Sequence, residues 1–150
     1  MARNIDEVAF AAHSFEYDGS SIDEPLREFL QIFYTLSDDK ENANEWAACF
    51  AKDAIMKRKG ADVLGREAIA KANEESWNGQ ASRQHIVYKV FPFNAGTPDE
   101  VMLYGLSKYV YEDSGTGQMP WSARIKLARS ESDGIQIYLY HIYAGALQRN

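Results

Sequence analysis

The chain has only one cysteine, Cys49, four prolines and three histidines among its 150 residues. A single cysteine excludes an internal disulfide and fits a reducing, cytoplasmic setting. Cys49 lies between Ala48 and Phe50 on an expected helix face, which suits a buried inert thiol better than a nucleophile. Basic residues are outnumbered by acidic ones, 16 to 22, for a net charge of -6. That balance argues against a nucleic-acid partner, which calls for clustered Lys and Arg. The one basic run, Lys57-Arg58-Lys59, reads as a solvated strand end. No apolar stretch approaches the roughly 20 residues that cross a bilayer, and Val8 to Ala12 is too short for a secretory core. No membrane partner is expected. Paired histidine spacing of the HExxH kind is missing, so no metal is expected. Gly115-Thr116-Gly117 is too short for a dinucleotide fingerprint, and no nucleophile elbow or phosphate loop occurs. What remains is acid–base chemistry without a cofactor.

The length suits one domain, preceded by an arm. Residues 1–22 are weakly patterned, with a short helix expected at Asp6 to His13, and residues 23–150 form the domain. Asp23 suits an N-cap, with Pro25 in the first turn of a helix whose Leu26, Phe29, Leu30 and Phe33 recur at helical spacing. Ile32, Tyr34 and Leu36 widen that stripe, so the helix is expected to be largely buried. A second helix follows, with Asn42 and Glu45 spaced as a capping pair and Trp46, Cys49 and Phe50 on one face. Asp53 to Lys59 reads as a short strand and Gly60 to Gly65 as a loop. Arg66 to Trp77 reads as a third helix, stopped at Asn78-Gly79.

From Arg83 the apolar period changes to two. Strands are expected at about 83–93, 100–112, 120–130 and 135–145, joined by turn-forming segments too short for parallel crossovers. Helices followed by an antiparallel meander define an α+β fold with helices on one sheet face. In the second of these strands, Lys108 and Glu112 disfavour one face, which puts Gly105, Ser107, Tyr109 and Tyr111 inside. Gly105 leaves room for a bend or a ligand. In the third, simple alternation puts Ala123, Ile125 and Leu127 inside, whereas the opposite register would turn Ser122 and Arg124 inward. In the fourth, Tyr138 and Tyr140 share one face, and His141 and Tyr143 the other.

His85, on the first long strand, is the candidate general base, imidazole being the side-chain type suited to proton transfer near neutral pH; Asp38 or Asp39 at a helix end can orient it. Tyr34, Tyr109 and Arg124 are candidate donors to a developing oxyanion. Nine Tyr, seven Phe and three Trp supply ring surface and hydroxyls for a pocket. The alternative is a non-catalytic binding or dimeric interaction module of the same fold.

Phe33-Tyr34 through Asp38, then Trp46-x-x-Cys49-Phe50-Ala51-Lys52-Asp53-Ala54, Gly65-Arg66-Glu67-Ala68-Ile69 and Arg83-Gln84-His85 occur in a fairly specific order. With Asp99-Glu100-Val101 and Asp133-Gly134 they resemble the nuclear transport factor 2-like superfamily, over about residues 23 to 145. The branch resembled is that of SnoaL-like cyclases and scytalone dehydratase-like enzymes. The resemblance implies a cone: a curved antiparallel sheet with three N-terminal helices over its concave face. It also implies a cofactor-independent isomerase, cyclase or dehydratase of a small hydrophobic polycyclic metabolite. His85 matches the dehydratase-like histidine. Ser122 and, with changed chemistry, Arg124 match inward residues of a later strand, which tips that strand's register. A second dehydratase histidine falls near Tyr111, and the dehydratase tyrosine before the second helix has no counterpart, so scytalone itself is not implied. His85, Asp38, Tyr109 and Arg124 are then expected to be catalytic. Tyr34, Trp46, Ser107, Ser122, Tyr138 and Tyr140 are expected to bind substrate. A homodimer through the convex face would cover Ala123, Ile125 and Leu127.

Overall fold

The computed structural model describes residues 22–150; the arm helix expected at Asp6 to His13 lies outside them. Helix α1 (Glu24–Ser37) and the short α2 (Ala43–Ala48) lead into β1 (Phe50–Arg58) and β2 (Ala61–Leu64). Helix α3 (Arg66–Ser76) follows. Then come β3 (Gln80–Pro92), β4 (Glu100–Tyr111), β5 (Thr116–Ser130), β6 (Gly134–Ala144) and the two-residue β7 (Gln148–Arg149). The seven strands form one curved, unclosed sheet in the order β2-β1-β6-β5-β4-β3, with β7 paired to β5.

The antiparallel meander from β3 to β6 follows from the short connections, and each strand pairs with its sequence neighbour. Strand β1 lies parallel to β6, beyond the reach of any local pattern. The stretch read as a loop between Gly60 and Gly65 contains β2. It was missed because four residues between two glycines carry little apolar signal, and Leu64 is 67% exposed. The α+β architecture, with helices over one face, is as expected.

Helix α1 buries Leu26, Leu30, Phe33 and Tyr34, the stripe that its spacing predicts. Phe33 is the centre of the core. Its ring meets Trp46 at 5.6 Å, Phe50 at 5.7 Å and Tyr140 at 5.3 Å, mostly edge to face. Each such buried ring is worth about 1.5–3 kcal/mol in transfer alone. The caps depart from expectation. Asp23 occupies the N-cap position of α1 but makes no side-chain cap bond; both its oxygens are held by Arg129 at 2.7 and 2.8 Å. Asn42 makes no capping bond to α2 and donates instead to Asp39 at 2.7 Å. The Arg129 fork outcompetes the backbone donors for Asp23, and Asp39 holds the Asn42 side chain through its NH₂ group.

Two bulges decide which side chains face the helices. In β3 the pairing passes from Val87 opposite Gly105 to Lys89 opposite Tyr104, so Tyr88 is an extra residue. Arg83, His85 and Val87 face the helices before it, and Val90 does so after it. In β6 Tyr138 is the extra residue, between Ile137 opposite Leu127 and Leu139 opposite Lys126. Ile137 and Tyr140 are buried, and Tyr138 is 42% exposed. Gly105 sits opposite the first bulge. A Cβ there would lie 1.8 Å from the Ile86 carbonyl oxygen and 3.0 Å from the Trp121 ring. Gly105 therefore serves close backbone approach and the bend, not ligand room.

Candidate active site

The helix-covered face of the sheet holds a half-open cavity of about 170 Å³ between the C-terminal end of α1, α2, α3 and the middle of β3–β6. His85, Tyr109, Trp121 and Tyr140 line it from the sheet, and Trp46 lines it from α2. Strand alternation in β3 and β4 aims His85, Ser107 and Tyr109 inward, while the β6 bulge rotates Tyr140 into place.

The central arrangement joins the end of α1 to β3. Asp38 follows the last turn of α1, and its Oδ1 lies 2.6 Å from His85 Nδ1. The same carboxylate accepts the His85 backbone N–H at 2.9 and 3.0 Å. A carboxylate only accepts, so Nδ1 carries the proton, and Nε2 has no partner among the described residues. The pair is largely buried, with side-chain exposures of 15% and 19%. A carboxylate at a helix C-terminus opposes the helix dipole, so this placement needs the His85 donors around it. The neighbouring Asp39 instead takes Glu41 N–H and Asn42 Nδ2, which closes the turn. The choice between the two acids thus falls to Asp38.

Tyrosines form the second part. Tyr34 and Tyr140 share a hydroxyl–hydroxyl bond of 3.1 Å; Tyr34 is fully enclosed and Tyr140 is buried but reaches the cavity. Burial, then the neighbouring Tyr140, raises the Tyr34 phenol well above its usual range. Burial pushes Tyr140 up to about 12, against a smaller lowering by its bond to Tyr34. Burial raises Tyr109 as well; Ser107 lies nearby and offsets part of it, without full hydrogen-bond geometry. All three hydroxyls therefore stay protonated as donors. Trp121 stacks on Tyr34 at 5.3 Å and meets His85 edge-on at 5.7 Å, walling the imidazole on one side.

Other expected positions lie elsewhere. Strand β5 buries Trp121, Ala123, Ile125 and Leu127 on the helix side, which turns Ser122 and Arg124 to the open face. The inward register implied by the resemblance is therefore corrected, because apolar side chains win the helix-covered side. Arg124 is paired with Glu100 at 2.7 Å and sits opposite His141 in register. Tyr138 is carried out of the cavity by its bulge. The apolar residues of β5 expected at a convex interface are core residues instead. Among the cavity residues that escaped the sequence reading are Arg83 and Trp121, although each shares strand parity with a residue placed inside. Arg58, read as solvated, borders the cavity. Among the described residues no helix is long and apolar enough to cross a membrane, and no three His, Cys, Asp or Glu side chains cluster.

No protein-family description matches the sequence, and no curated protein matches it significantly. Comparison of structures does find neighbours. A putative scytalone dehydratase from Novosphingobium aromaticivorans superposes with a TM-score of 0.72 at 13% identity, over 83% of this chain and 84% of that one. A Δ5-3-ketosteroid isomerase from Mycobacterium sp. gives 0.65 at 14% identity, over 84% and 98%. An NTF2-like protein of unknown function from Exiguobacterium gives 0.60 at 11% identity, over 80% and 97%. The chain has the nuclear transport factor 2-like fold. At these identities the likeness defines the fold, and the chemistry must be argued from the site itself.

Proposed function

We propose that this protein is a cofactor-independent enzyme that moves a proton on a cyclic metabolite, in an isomerisation, cyclisation or dehydration. The observation that carries the reading is the Asp38–His85 pair, bonded at 2.6 Å at the wall of a tyrosine-lined cavity. His85 Nε2 removes a proton from carbon next to a carbonyl, while Asp38 holds the tautomer and stabilises the imidazolium that forms. Negative charge then moves to the substrate oxygen. Tyr140 or Tyr109 donates to that oxygen, and Tyr34 supports Tyr140 from behind. Return of the proton from His85 to another carbon gives isomerisation; its delivery to a β-hydroxyl, which leaves as water as the C–O bond breaks, gives dehydration. Trp46, Trp121 and Ile142 supply the apolar walls for the ring. The dehydratase and isomerase names among the structural neighbours are compatible with this chemistry. A polycyclic substrate would keep one or two rings inside and extend the others through the mouth.

The test needs no natural substrate. Incubation with 2-tetralone in D₂O, followed by NMR, reads deuterium entering the carbons beside the carbonyl. The wild-type protein is expected to accelerate exchange, and His85→Ala to lose about 10²- to 10⁴-fold of that acceleration. Equal exchange by a folded His85→Ala protein would remove His85 from the mechanism.

We further propose that the protein forms a homodimer through the open face of the sheet. Tyr104 contacts both Tyr88 and Phe91 there, and the three are each 45% exposed. Light scattering should give twice the chain mass for wild type and the chain mass for Tyr104→Glu; a wild-type monomer at micromolar concentration rejects this.

A further inference from the structure

The cavity is unusually rich in donors for a protein with more acid than base. Of its titratable lining residues, Arg58, Arg83 and His85 are basic, and neither Asp nor Glu contributes. The chain carries 22 acidic residues against 16 basic ones, so chance pairing would favour the reverse. Asp38 is near, but His85 already engages it through both the ring and the backbone N–H.

Arg83 is the most informative of these groups. Its Nε donates to the Ser37 carbonyl at 2.8 Å and its Nη1 to Ser76 Oγ at 2.9 Å. Its Cζ lies over the Trp77 ring, 3.9 Å from the centroid. Every direct acceptor is neutral, and Nη2 has no partner among the described residues. Burial disfavours the guanidinium charge, and the field of Asp38 only opposes that. A clamp that ties α1 to α3 accounts for Nε and Nη1. It accounts neither for Nη2 nor for Arg58, which ends β1 at the same cavity without a carboxylate partner among the described residues.

The inner part of this half-open cavity, about 170 Å³, takes one ring with a substituent or a compact bicycle, and larger parts of a ligand extend through the mouth.

We infer that the ligand is a ring compound bearing a carboxylate, with the ring against Trp121 and the carboxylate held by Arg83 and, at the mouth, Arg58. This rests on the reading of the cavity as a substrate site and specifies the substrate class. A planar guanidinium and a carboxylate match in shape as well as charge, which gives selection over a neutral isostere.

The test compares 2-naphthoate with 2-naphthamide, which share the ring and differ in charge, by calorimetric titration of the full-length protein. Naphthoate is expected to bind at least tenfold more tightly, with an advantage that shrinks as salt rises. In Arg83→Gln that ratio should fall below about threefold, and Arg58→Gln should lower it by a smaller factor. Because Arg83 also ties two helices together, Arg83→Lys is measured beside it; a folded Lys variant should keep part of the preference. Equal affinity of the wild type for both ligands overturns the carboxylate assignment and leaves the ring cavity standing. A naphthoate preference that persists in both Gln variants also overturns it, since the anion would then sit elsewhere. Binding of neither ligand removes the assignment together with the cavity reading. Failure of the catalytic reading is seen separately, as absent deuterium exchange on 2-tetralone.

Discussion

Replacing Asp38 with Asn isolates the electrostatic part of the proposed mechanism. The wild-type carboxylate accepts twice from His85, at Nδ1 and at the backbone N–H. Asn preserves the shape and leaves one oxygen for the backbone donor, so the fold loses little. What disappears is the negative charge beside a developing imidazolium. At about 4 Å between charges and an effective dielectric of about 20, that attraction is worth about 4 kcal/mol, as an upper bound. At about 1.4 kcal/mol per factor of ten, the exchange rate on 2-tetralone should fall by about 10²- to 10³-fold. A second effect acts in the same direction. The Asn amide can turn its NH₂ toward Nδ1, which moves the ring proton to Nε2 and removes the base. A parallel Asp38→Ala variant also strips the acceptor from a buried backbone N–H, which costs about 1–3 kcal/mol in stability. Unfolding curves should therefore separate the two variants, with Asn near wild type and Ala clearly lower. A folded Asp38→Asn protein that exchanges within threefold of wild type refutes the assigned role of the carboxylate.

Two other outcomes follow from the fold. Gly105→Ala should lower stability by about 3 kcal/mol in urea unfolding, because the added carbon meets main-chain atoms that cannot rotate away; a loss below about 1 kcal/mol would show that β3 shifts freely. The Arg129 fork, its largest influence, holds the Asp23 carboxyl below its usual range. A depressed acid stabilises the fold above its unfolded pKa and loses that contribution as pH falls through the folded value. Arg129→Ala should thus cost about 0.5–1 kcal/mol more near pH 7 than near pH 2.5, after allowance for solvent screening. The lost bond to the Pro98 carbonyl leaves a difference at both pH values. A gap independent of pH would show that the carboxylate pairing contributes nothing.

Much of the architecture was legible because its signals are local. Leu26, Leu30 and Phe33 repeat at helical spacing, and β4 and β5 alternate cleanly, so the helix stripe and the two faces could be read residue by residue. For β5 that plain alternation placed Ala123, Ile125 and Leu127 correctly, where the resemblance misplaced Ser122 and Arg124. His85 was legible as a candidate for a similar reason: it is a titratable side chain on a strand whose inner face was predictable.

That an acid at the end of α1 partners His85 was expected; which of the two adjacent acids does so was not legible. Adjacent residues at a helix end differ by about 100° in direction, so Asp38 and Asp39 were equivalent until β3 was seen to pass on one side. The bulges at Tyr88 and Tyr138 were hidden for a different reason. One extra residue inverts the parity of everything beyond it, yet leaves no mark in composition. That inversion sends Tyr138 out while Tyr140 points in. The sequence by itself determined the helices, the long strands and the apolar faces of α1, β4 and β5, because those signals are local. Only the tertiary structure decided that residues 47 apart meet as a bonded acid–base pair. It alone also brought Arg58, Arg83 and Trp121 to the same cavity, because those contacts depend on register and crossing geometry and not on local preference.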